Sequence, residues 1–135
     1  YFRSVLPSGI PRGIGRLRGW IAGHYLLLFG LIGTAAAFAS LSMLPFDDAN
    51  AGYSSYRMSI PLFYAMLALA LLTWLSARNQ RNFVNVHAIA AAALLLLTIV
   101  GGLLFVDHPM TLGMLSAFVV VADVAAVTWL GRQLA

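Results

Sequence analysis

Residues 88–97 read AIAAAALLLL, an unbroken apolar run. A strand of a membrane barrel alternates outward apolar and inward polar residues over about ten positions. No such alternation exists here, so the run belongs to a helix. Outward from it, neither Arg nor Asp appears anywhere in residues 82–106. A helix rising about 1.5 Å per residue needs about 20 such positions to cross roughly 30 Å of hydrocarbon. The stretch that contains 88–97 is long enough to span a bilayer.

Three further stretches read the same way. Residues 19–46 and 58–77 hold neither Arg nor Asp, and residues 108–131 are interrupted by Asp123 alone. The expected fold is an all-α membrane protein with four transmembrane helices near 18–44, 58–78, 82–106 and 109–132. Pro45 is expected to close the first helix. Pro61 is expected in the first turn of the second, where a missing N–H costs little. Asn79-Gln80 and Asp107-His108-Pro109 are short links, which make neighbouring helices antiparallel. The result is an up-down-up-down bundle over residues 18–135. Residues 1–17 contain Pro7, Pro11 and three Arg, and lack a helical apolar face. They are expected to form an extended arm on anionic headgroups or along a partner. Arg16 and Arg18 followed by the run through residues 25–39 are similar to a secretory leader, yet the segment reads better as a retained first helix.

Composition agrees with this reading. The chain has 135 residues, 61% hydrophobic and 9% charged, with a mean hydropathy of +0.90. Soluble domains are about 45–50% apolar and about 25% charged. Twelve charged side chains cannot clothe a soluble sphere of this size, which argues against a soluble enzyme or a disordered tail. The net charge of +4 is dispersed between apolar runs, and no basic patch interleaved with stacking aromatics exists for nucleic acid. Cysteine is absent, so disulfides, thiolate metal sites and cysteine nucleophiles are excluded. Every basic residue is Arg, which also excludes a lysine Schiff base.

The arginines are unevenly placed. Arg3, Arg12, Arg16, Arg18, Arg78, Arg81 and Arg132 fall on one side of the four expected spans, and Arg57 falls on the other with Asp47, Asp48 and Asp107. The positive-inside rule then places both termini in the cytoplasm, across a bacterial inner membrane. Trp20, Trp74 and Trp129 lie near the arginine-rich level as an aromatic belt, with Tyr53 and Tyr56 toward the opposite interface.

Asp123 is the one charged residue that topology does not explain. It stands nine positions before Arg132, about 13 Å along the helix from it. A charged group at the centre of a membrane helix costs about 2.5–3.5 kcal/mol on insertion scales, and it normally faces the bundle interior or a wet cavity. Asp123 is thus a proton carrier or ligand-binding group, or else a protonated acid bonded to a neighbouring hydroxyl or carbonyl. His24 lies six residues past Arg18, and His87 six past Arg81, each about 9 Å beneath the same level. The expected candidate site is therefore His24, His87 and Asp123, three ionisable side chains at one depth. Two imidazoles could ligate haem iron or a bacteriochlorophyll, hold a metal together with the carboxylate, or bind a quinone carbonyl; alternatively each reaches interfacial water. No spacing specifies a metal site.

Helical spacing puts His87, Ala91, Leu94, Thr98 and Gly101 on one stripe, and Leu112, Ser116, Val119, Asp123 and Val127 on another. Gly19, Gly23, Gly30 and Gly33 give the first helix a small-residue side that permits close packing. The acids at 47 and 48 lack the spacing of a calcium loop, and His108 sits in a link. In size and layout the chain resembles small bacterial four-helix membrane proteins, including the DoxX-like type. The resemblance implies architecture alone and carries no functional residue across.

The expected role is non-catalytic: a small accessory subunit that stabilises or assembles a larger membrane complex of respiratory or photosynthetic type. Its partners would be lipid and other membrane subunits. The competing reading is a redox or ligand-binding anchor, with His24, His87 and Asp123 around haem, bacteriochlorophyll or quinone. A third is a small transporter using Asp123 as its proton carrier.

Overall fold

A computed structural model describes residues 12–43, 51–76, 81–104 and 109–133. Four helices make up 96% of these residues, and no strand is present among them. They are α1 (Ile14–Ser42), α2 (Ala51–Leu75), α3 (Arg81–Leu104) and α4 (Pro109–Gln133). Three contain segments long and apolar enough to cross a membrane: Ile14–Ser40, Arg81–Gly101 and Thr111–Gln133. The apolar part of α2, Ser59–Leu75, is shorter. The links at 44–50, 77–80 and 105–108 lie outside the described residues, with Pro45, Asp47, Asp48, Asp107 and His108. So does most of the expected arm.

Two helices begin earlier than the sequence pattern suggests. Residues 14–17, expected in the arm, already form the first turn of α1, where the Leu17 N–H donates to the Gly13 carbonyl at 2.9 Å. Gly13 has φ +100°, a left-handed conformation in which a side chain would be strained. The second helix starts at Ala51 rather than 58, so Pro61 sits inside it and not in its first turn. A helix needs an apolar face only where it meets lipid or core, and polar residues 51–57 can extend it past that zone. Proline in a helix interior removes one backbone bond and crowds the preceding turn. Here α1 leaves room for it: a methyl group added at Gly33 would lie 3.0 Å from the Pro61 ring.

Glycine sets the register of α1 on α2. A methyl at Gly19 would meet Leu75, one at Gly23 would meet Leu72, and one at Gly30 would reach the Ala65 nitrogen and the Pro61 carbonyl. Rising numbers on α1 oppose falling numbers on α2, so the two run antiparallel in close contact. At Gly30 the approach is to backbone atoms, at 2.7 and 2.8 Å from the added methyl, which no larger residue could share.

The second helix is central. It packs against α1, α3 and α4, whereas α1 has no extensive contact with α3 or α4. Among the described side chains of α2 the large exposed hydrophobics are Ile60, Leu67 and Trp74, seven apart and hence on one narrow strip. The core joins Leu62 and Met66 of α2 to Ala90, Ala91 and Leu94 of α3, with Val119 and Val120 of α4 against it. By contrast α1 exposes Ile21, Tyr25, Leu28, Phe29, Ile32 and Phe38. Such apolar surface is suited to lipid, and the protein has the character of a membrane protein.

Candidate functional site

The stripe on α3 is buried at His87, Ala91, Leu94 and Gly101, and the stripe on α4 at Leu112, Ser116, Asp123 and Val127. The two stripes face inward at one level. His87 is 2% exposed and Asp123 5%, so both are effectively dry. The His87 Nδ1 stands 3.0 Å from Oδ1 and 3.0 Å from Oδ2 of Asp123. One bond between side chains thus ties α3 to α4.

Three buried hydroxyls bond within their own helices. Thr73 donates to the Leu69 carbonyl at 2.7 Å, Ser76 to Leu72 at 2.6 Å and Ser116 to Leu112 at 2.9 Å. Each of these three hydroxyls is satisfied on its own helix. The second ring nitrogen of His87 differs: Nε2 is buried and has no hydrogen-bond partner among the described residues. A histidine that bonds a carboxylate through one nitrogen has its ring orientation fixed, with the other nitrogen aimed elsewhere.

His24 stands apart from this pair. Its Nδ1 bonds the Trp20 carbonyl at 2.8 Å on its own helix, and its ring lies 4.0 Å from the Trp20 ring. Among the described residues, no three His, Cys, Asp or Glu side chains gather as a possible metal site. The expected trio is therefore brought together at two of its members, His87 and Asp123. Trp20 was visible in the sequence as a belt residue, yet its Nε1 is buried and has no partner among the described residues.

Beside the pair lies a cleft of about 360 Å³ between α3 and α4. Val86, Ile89, Ala90 and Ala93 line one wall, and Phe118, Val119, Ala122 and Ala126 the other, with Asp123 among them. Ile89 and Phe118 are about 70% exposed, so the cleft opens on the outer surface of the bundle. Small side chains make it: alanines at 93, 122 and 126 leave space that leucines would fill. Ala122 and Ala126, four apart on one face of α4, were the available sequence signal.

Chemically the site offers a carboxyl group and an imidazole to an apolar surrounding. Such a pair can hold a polar head group, pass a proton, or clamp two helices. Comparison of the chain with known protein families, with curated proteins and with solved structures finds no match.

Proposed function

We propose that this chain is a small, non-catalytic subunit of a larger complex in a bacterial inner membrane, of respiratory or photosynthetic type. The observation that carries this reading is the open packing of α1, which rests on α2 and leaves a broad apolar face uncovered. A neighbouring membrane subunit would cover Tyr25, Phe29 and Ile32. The arginine distribution supports cytoplasmic termini. A photo-crosslinking residue at position 29 or 32 tests this in intact membranes. A discrete protein adduct of constant mass is expected; adducts with lipid alone would overturn the reading.

A second reading has its own observation. The dry His87–Asp123 pair beside an apolar cleft fits a subunit that binds a lipid-soluble molecule such as a quinone. Haem held between His24 and His87 is not supported, because α1 and α3 lack extensive contact. An organic extract of the purified protein tests the second reading. A stoichiometric lipophilic compound lost on substituting Asp123 supports it, and an extract holding bulk lipid alone counts against it.

A further inference from the structure

We infer that the α3–α4 cleft seats one acyl chain of an anionic phospholipid, whose phosphate lies between Arg81 and Arg132. The inference goes beyond both functional readings above and depends on neither. It starts from the cleft wall, which is apolar essentially throughout. Asp123 belongs to that wall, yet its carboxylate is turned onto His87. Such a wall suits a hydrocarbon chain, and the polar part of its occupant must lie beyond the cleft. Ile89 and Phe118 are exposed at the mouth, so a chain can enter sideways from the bilayer.

The cleft leads toward the arginine-rich end. Gly101 approaches Leu112 as His87 meets Asp123, so α3 and α4 run antiparallel. Arg81 opens α3 and Arg132 stands in the last turn of α4, hence both lie at one end of the pair. Val86 is five residues from Arg81, about 7.5 Å along the helix, and Ala126 is six from Arg132, about 9 Å. Toward the other end, Ala93 is eleven residues short of Leu104 and Phe118 nine past Pro109. The cleft therefore occupies the half of the span nearer the arginines. Helical spacing carries its walls outward, through Val86 to Asn82 on α3 and through Ala126 and Trp129 to Gln133 on α4. Asn82 and Gln133 are exposed amides, each beside an exposed arginine.

Charge selects the head group. Asp123 is the sole acid among the described residues and His87 holds it, so no described carboxylate answers these two arginines. The first turn of α3 holds no acid either, and the free N–H groups of a helix start add positive character at the same point. Arg132 offsets the carbonyl end of α4, which alone would repel an anion. Guanidinium groups give a phosphate charge-assisted hydrogen bonds. Trp129 marks the interfacial level between the phosphate and the chain. Basic pockets between membrane helices hold anionic head groups on these terms. A zwitterionic lipid brings the same phosphate together with a cation that the arginines repel.

The full chain in detergent micelles is given equal amounts of phosphatidylglycerol and phosphatidylcholine with identical dioleoyl chains, and retained lipid is counted by native mass spectrometry. One phosphatidylglycerol per chain is expected, about tenfold in excess of the phosphatidylcholine adduct. Arg81→Gln with Arg132→Gln is expected to abolish that excess. Arg16→Gln with Arg18→Gln removes the same charge from α1 and is expected to preserve it. Ala122→Leu fills the cleft from its exposed edge, leaves His87 and Asp123 untouched, and is expected to weaken phosphatidylglycerol retention about tenfold. Equal retention of the two lipids, or retention of neither, overturns the inference. A phosphatidylglycerol excess that survives loss of Arg81 and Arg132, or falls as far in the α1 variant, reduces to bulk charge and overturns the phosphate site. Retention unchanged in Ala122→Leu takes the chain out of this cleft and also overturns the inference.

Discussion

His87 and Asp123, 36 positions apart in sequence, meet inside the bundle with one ring nitrogen shared between two carboxylate oxygens at 3.0 Å. Contact between α3 and α4 is otherwise less extensive than that of α2 with α1 or α3. The pair is therefore a principal tie between these helices.

Removing either partner strands the other. His87→Leu and Asp123→Leu are each expected to destabilise the protein by about 1–3 kcal/mol, the cost of an orphaned buried polar group. The double variant should cost less than the two together, by about 0.6–1.7 kcal/mol, as for hydrogen bonds between membrane helices. Equilibrium unfolding in mixed micelles measures this. Strict additivity would mean that the two side chains are not coupled.

Substituting glycine separates contact from propensity. Gly30→Ala forces a methyl toward backbone atoms of α2, which cannot swing away as a side chain can. A loss of about 1–3 kcal/mol is expected from overpacking, exceeding the gain of about 1 kcal/mol from helix propensity. Gly15→Ala and Gly113→Ala meet nothing within 4 Å and should be neutral or mildly stabilising. Thermal denaturation of the three variants in one detergent gives the order; an equally stable Gly30→Ala would refute the close approach.

The lack of native cysteine makes topology directly measurable. In intact spheroplasts a membrane-impermeant maleimide should label Asn50→Cys and His108→Cys. Asn79→Cys and Gln133→Cys should react after lysis alone. The reverse pattern would invert the orientation inferred from arginine.

Haem addition probes where the two imidazoles stand. His24 bonds its own helix, and α1 has no extensive contact with α3, so added haem should yield no bis-imidazole low-spin spectrum. Such a spectrum, abolished by His24→Ala and by His87→Ala alike, would show both imidazoles on one iron.

The helices were legible in the sequence because unbroken apolar runs have one solution in lipid. The buried stripes were legible too, since the 3.6-residue period assigns His87 with Leu94 and Asp123 with Ser116. The start of α2 was hidden because residues 51–57 are polar and Pro61 marks a helix start as readily as an interior position. Residue counting from the arginines put His24, His87 and Asp123 at one depth. Depth is a single coordinate, however, and the order of helices around the bundle is another. With α2 central, His24 lies on α1, away from the other two. The cleft escaped notice because it is made by what alanines lack.

The glycine register also permits an order of assembly. Each contact between Gly19, Gly23, Gly30 or Gly33 and α2 draws on residues no later than Leu75, and none needs a polar partner. An emerging chain can close this hairpin before α3 has entered the bilayer. His87 then arrives ahead of its acid and must wait, unmatched, until Asp123 is delivered. The early half of the chain is shaped by contour, and the late half is completed by a single act of recognition between its last two helices.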